Sequence, residues 1–87
     1  MKLGPVQERL YAVFKDRPNE DIAIAHMYAA TYAVSFAELI EVSIRDMQQR
    51  LAPVIARLNG NLPPNNRVEP GQLKRTYRLN TDVRVIH

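Results

Sequence analysis

Arginine and glutamine are the side chains of this sequence best suited to reading another molecule, and they are clustered. Arg45, Gln49, Arg50 and Arg57 recur between residues 44 and 62, with the small Ala52 and Ala56 among them. Arg67, Lys74, Arg75 and Arg78 follow within a short distance. A guanidinium presents a planar fork of donors that matches phosphate oxygens or the O6/N7 edge of guanine, and a glutamine amide can pair with the N6/N7 edge of adenine. An alanine lets a helix come close to a groove, and its methyl can touch that of thymine.

The charge is divided along the chain in the same sense. The net charge of +3 conceals an acidic first half: residues 1–44 hold four basic and six acidic side chains. Residues 45–87 hold eight basic side chains, seven of them arginine, against three acidic ones. Such an excess is a footprint for a polyanion, although an ordinary solvated basic surface has the same composition.

Catalysis finds few candidates. The histidines are His26, which the helical spacing sets beside Met27 and Tyr28 as a partly buried packing residue, and the terminal His87. There is no paired-carboxylate arrangement, glycine-rich phosphate loop, serine with a plausible base, or cluster at metal-ligand spacing. Glu20-Asp21 reads as helix-start charge and Asp46 as the acidic partner of a capping box. No reaction, cofactor, metal or small-molecule substrate is therefore expected. The absence of cysteine excludes disulfides and thiolate metal sites and, with no leader-like segment and no membrane-length apolar run, points to a cytoplasmic protein.

The 87 residues suit one domain with one core. Gly4-Pro5 opens a first helix carrying Val6, Leu10, Val13 and Phe14 at helical spacing, and Arg17-Pro18 ends it. Asn19 is a suitable N-cap for a second helix from about Glu20 to Tyr32, with a stripe of Ile24, Met27 and Tyr28 that weakens at Thr31. Ser35-Phe36-Ala37-Glu38 and Ser43-Ile44-Arg45-Asp46 both read as capping boxes. They suggest a short helical turn followed by a fresh helix, with a single helix through 35–62 as the alternative. Ile44, Met47, Leu51, Ile55, Leu58 and Leu62 keep one phase across Pro53, which predicts a bent helix rather than two. Asn59-Gly60-Asn61 closes it, with glycine available for a left-handed cap.

Pro63 to Asn66 reads as an extended connector, and Pro70-Gly71 as a turn between two strand-like runs. In the second run Leu73, Tyr77 and Leu79 share one face, and Gln72, Lys74, Thr76 and Arg78 the other. Arg75 falls on the apolar face, its stem packing and its head reaching solvent. Residues 82–87 suit a last short strand. The helical part thus covers about 5–62, the hairpin about 67–79, and a tail 80–87.

A polar helix followed at once by a basic hairpin is the layout of a recognition helix and a wing. The chain resembles the winged helix-turn-helix domains that form the effector half of two-component response regulators. Arg17-Pro18-Asn19 stands where that family has a His-Pro-Gly-like turn, and Tyr28 and Tyr32 lie where its second helix ends near an aromatic. Residues 33–43 correspond to its long loop. Ile55-Ala56-Arg57-Leu58-Asn59 partly echoes an Ile-x-x-Leu-Arg pattern, and Thr76-Tyr77-Arg78-Leu79 matches the end of a Gly-Tyr-Arg-Leu wing strand. The N-terminal strands and receiver domain of response regulators have no counterpart, so no phosphorylation switch is implied. Gln48 to Pro53 together with Leu73 to Leu79 is also similar to small phage or mobile-element regulators.

The resemblance implies an α+β winged-helix fold of three or four helices and a C-terminal β-hairpin wing. It further implies sequence-specific binding of double-stranded DNA by a small transcriptional regulator. Arg45, Gln49, Arg50, Ala52, Ala56 and Arg57 would face the major groove, and Arg67, Lys74, Arg75 and Arg78 would form the wing. A homodimer is compatible with so short a module, with residues 82–87 as one candidate contact. The rival expectation is a protein-docking module, such as a phage-encoded inhibitor of a host nucleic-acid enzyme. Exposure of Tyr28, Tyr32 and Phe36 would favour it; burial of Tyr28 and Phe36 is the expectation, and Tyr32 is open.

Overall fold

A computed structural model describes residues 3–81 of the chain. Helix α1 spans Pro5–Lys15, strand β1 Ile22–Ala23, helix α2 Ile24–Tyr32, the one-turn helix α3 Phe36–Leu39, and helix α4 Ile44–Asn61. Strands β2 (Asn66–Pro70) and β3 (Thr76–Thr81) complete an α+β architecture. The three strands form one antiparallel sheet in the order β1-β3-β2.

Helix α1 begins as its sequence dictates. Gly4 is extended at the N-cap and Pro5 needs no amide partner at the first helical position. Glu8 and Lys15 complement the helix dipole at the two ends, while Leu10 and Phe14 turn fully inward.

Beyond Pro18 the chain departs from the predicted course. Asn19 is not an N-cap. It adopts a left-handed φ of 63°, a conformation asparagine tolerates, and joins the chain to β3. Its amide donates to the Leu79 carbonyl at 2.9 Å, and its side chain bonds both the amide and the hydroxyl of Thr81. Ile22 and Ala23 then pair with Tyr77 and Thr76, so α2 starts at Ile24 rather than near Glu20. Burial of the β-branched Ile22 and sheet pairing override the local helix-start pattern.

Both ends of α2 are finished by other segments. The Ile24 amide donates to the Arg75 carbonyl at 3.0 Å. At the other end Ala33 is left-handed (φ 54°), the Val34 amide returns to the Ala29 carbonyl, and Arg9 reaches the Thr31 carbonyl at 3.1 Å. The two serines then cap as their spacing predicts. Ser35 Oγ accepts from the Glu38 amide and Ser43 Oγ from the Asp46 amide, and α3 and α4 are separate helices.

Helix α4 runs through Pro53 as one element of 18 residues. It also runs through Gly60, which is helical rather than a left-handed cap, and the chain turns extended at Leu62. Met47, Leu51, Ile55 and Leu58 form its buried stripe. Burying each such side chain contributes about 1.5–3 kcal/mol. Thr31 sits in the same core, fully buried, with no partner for its hydroxyl among the described residues.

The hairpin is pinned by burial of Val68 opposite Leu79. Its second strand begins at Thr76, later than predicted, and residues 71–75 form a wide loop. Leu73 therefore does not share a face with Tyr77 and Leu79; it is 67 % exposed. Nor does Arg75 pack along a strand: it takes a left-handed φ of 59° that closes the loop. Two further expectations are overturned. His26 is exposed, and Phe36 is 81 % exposed because Leu39 and Val42 are the residues of that segment packed on the core. The tail strand expected over 82–87, His87 included, lies outside the described residues.

Candidate nucleic-acid interface

The buried stripe of α4 determines what its opposite face offers. At 100° per residue, the direction away from Met47, Leu51, Ile55 and Leu58 falls on Gln49, Pro53, Ala56 and Gly60, with Arg45 and Ala52 along one side. All six residues are exposed. The face is low in relief along Ala52, Pro53, Ala56 and Gly60, and a Cβ added at Gly60 would meet nothing within 4 Å. Arg45 and Gln49 therefore rise from a nearly flat helical surface near its N-terminal end.

Arg57 belongs to the other edge of that face. Together with Val54 and Tyr32 it lines a shallow groove of about 350 Å³ closed by Gly4, Pro5, Val6 and Gln7 at the start of α1. Arg50 is turned further still. Its Nη1 donates to the Tyr28 hydroxyl at 2.7 Å, and its carbonyl accepts from the Tyr32 hydroxyl at 3.1 Å. The two tyrosine rings are 5.0 Å apart and tilted by 49°. This cluster fastens α2 to α4, so Arg50 is a structural tie before it is a contact residue. Tyr28 is buried and Tyr32 half-buried.

The hairpin is tied to α4 by a contact that sequence reasoning missed. Asn59 on α4 donates its side-chain amide to the Val68 carbonyl at 2.9 Å and accepts from the Val68 amide at 2.8 Å. A side-chain carboxamide here pairs with β2 as a neighbouring strand would. The only sequence signal was a polar residue one step from Leu58, within what reads as a helix-closing Asn-Gly-Asn run.

The loop at the hairpin tip is also held from outside itself. Asp21 is not helix-start charge: its Oδ2 accepts the amides of Gln72 and Leu73 at 3.1 and 3.0 Å. The Gly71 amide closes onto the Thr76 carbonyl at 3.0 Å. A Cβ at Gly71 would lie 2.4 Å from both Asp21 Oδ1 and Thr76 Oγ1, so only glycine fits this approach.

Of the four predicted wing residues, three project freely and one does not. Arg67, Lys74 and Arg75 are exposed. Arg78 lies on the outer face of the central strand, opposite Glu69 on β2. Continuing the β1–β3 register places Asp21 opposite it on the other side. Arg78 donates to the Asn19 carbonyl and its Nε sits 3.8 Å from Asp21 Oδ1, with 21 % of its side chain exposed. Its charge is engaged within the sheet. Among the described residues, the arginine side chains that make hydrogen bonds are Arg9, Arg50 and Arg78. Arg45, Arg57, Arg67 and Arg75 make none.

The described residues contain no cluster of three or more metal-ligating side chains, and no helix among them is long and apolar enough to cross a membrane. Comparison of the chain with protein families, with curated proteins and with solved structures finds no match in any of the three.

Proposed function

We propose that this chain is a winged helix-turn-helix protein that binds double-stranded DNA sequence-specifically as a small transcriptional regulator. Helix α4 enters the major groove and the β2–β3 hairpin serves as the wing. The observation that carries the reading is the outer face of α4. A helix of 18 residues, anchored by a fully apolar inner stripe, presents Arg45 and Gln49 beside Ala52 and Ala56 with no protein partner for the two long side chains among the described residues. Those are side chains that read guanine and adenine edges, on a face flat enough to approach a groove closely. The order of a loop, a long helix and a basic hairpin supports it, since that order is what the resemblance to response-regulator effector domains implies. Arg67, Lys74 and Arg75 contact phosphates; Arg78 supports the wing from within.

The test is a fluorescence-anisotropy titration of a mixed-sequence duplex at a series of salt concentrations. With Arg45, Arg57, Arg67, Lys74 and Arg75 available, the reading expects micromolar binding and a log–log salt slope of about −3 to −5. Selection from random DNA should then yield a preferred site. Absence of binding at low salt would sink it.

Exposure of Phe36 favours a second reading, a protein-docking module that uses the surface around α3. In that case the duplex titration is flat, and substitution of Phe36 abolishes capture of a nucleic-acid enzyme.

A further inference from the structure

We infer that copies of this chain associate head to tail, the α3 surface of one copy receiving the hairpin tip of the next. Among the described residues the exposed large hydrophobic side chains are Phe36, Ile40 and Leu73. They fall on two patches of opposite charge. Phe36 and Ile40 lie four residues apart on α3 and its C-cap, one turn from each other, with Glu41 exposed next to Ile40 and Glu38 exposed on the far flank of the turn. Leu73 crowns the hairpin loop with Lys74 and Arg75 exposed next to it. Each patch offers the other an apolar contact and, at its rim, the opposite charge.

The fold keeps the two patches from meeting within one molecule. The hairpin loop is fastened to the start of α2 through the Arg75 carbonyl and the Ile24 amide. Helix α3 follows the end of α2, after Ala33. The nine residues of α2 hold them about 13 Å apart along its axis, at opposite ends. In a head-to-tail arrangement each contact leaves one patch of each kind free, so every copy added can receive another and the assembly grows beyond a dimer. Both patches are rigidly presented. The loop is held by Asp21 and closed at Gly71, and α3 is capped by Ser35 and seated by Leu39 and Val42. The association does not rest on the reading of α4 as a DNA contact, and a duplex bound at Lys74 and Arg75 competes with it.

The experiment is sedimentation equilibrium of the full chain up to about 1 mM, alone and as mixtures of two variants. The wild-type chain should show a mass that rises with concentration past twice 10.0 kDa. A Phe36→Ser/Ile40→Ser variant keeps only the hairpin tip, and a Leu73→Ser variant keeps only the α3 surface. Each should remain a monomer, with an unchanged thermal midpoint because all three side chains are exposed. Mixed, the two should form a 1:1 dimer and nothing larger. A wild-type chain that stays monomeric throughout overturns the inference. So does a Leu73→Ser variant that still associates, which would mean symmetric pairing through α3 or a different surface. A mixture that stays monomeric overturns it too.

Discussion

The outer face of α4 and the outer face of the sheet both carry arginine, and the fold treats them oppositely. On α4 Arg45 stands one turn before Gln49, and its donors make no hydrogen bond or ion pair among the described residues, although Asp46 is next to it in the chain. On the sheet Arg78 lies between Glu69 and Asp21 and donates to the Asn19 carbonyl. The lesson is that basic residues cannot be summed into a binding surface. The register of a strand decides which are charged toward a partner and which are neutralised at home, while one exposed helical face leaves its charges free.

The largest effect that would sharpen this contrast is on the helix. The Arg45→Ala/Gln49→Ala double variant should lose about 1–3 kcal/mol of duplex affinity per residue, with relaxed base preference and an unchanged thermal midpoint. Equal loss on all sequences would move these residues from base reading to phosphate contact. On the sheet the effects should be reversed. Arg78→Ala leaves the Asp21 carboxylate without its cation and the Asn19 carbonyl without its donor. It should lower stability by about 1.5–3 kcal/mol, readable by urea denaturation, while leaving the salt slope of DNA binding unchanged. A flattened slope with intact stability would make Arg78 a phosphate contact and erase the distinction.

Two smaller effects probe the inner and outer sides of the helical layer. Thr31→Val removes a buried hydroxyl that has no partner among the described residues and should raise stability by about 1 kcal/mol in the same denaturation assay. Gly60→Ala should raise it by roughly 0.5–1 kcal/mol, since a helical glycine is replaced where the added methyl meets open space. A loss of stability in either case would mean that the packing around α2 or the helical state of Gly60 is misdescribed. If Gly60→Ala stabilises yet weakens duplex binding, the glycine is retained for close approach.

The sequence made the helices legible where capping and periodicity agreed. Pro5, Ser35 and Ser43 mark three helix starts, and the stripe from Ile44 to Leu62 holds its phase through Pro53. It misled where a local signal met a non-local demand. Asn19 and Asp21 have the types and order of a helix start, but their hydrogen bonds go to Thr81, Leu79, Gln72 and Leu73, more than fifty residues away. No periodicity within a window of a dozen residues contains that pairing. Phe36 and Leu73 misled for a related reason. Each was a large apolar residue of its run, and each gave up its place in the core to neighbours set by geometry: Leu39 and Val42 beside α3, Tyr77 and Leu79 on β3. The helical half of the candidate site, Arg45, Gln49, Ala52 and Ala56, was visible from spacing alone. The division of the hairpin into free and engaged charges was not, because it depends on a third strand of only two residues.

The most direct test of the central claim is a backbone amide NMR titration of the chain with a short duplex at low salt. At a chain concentration low enough to keep it monomeric, the account predicts shifts concentrated at Arg45, Gln49, Ala52 and Ala56 on α4 and at Lys74 and Arg75 in the loop, with Phe36 to Val42 and Arg78 nearly still. Saturating shifts centred on Phe36 to Val42, or none on α4, would contradict it.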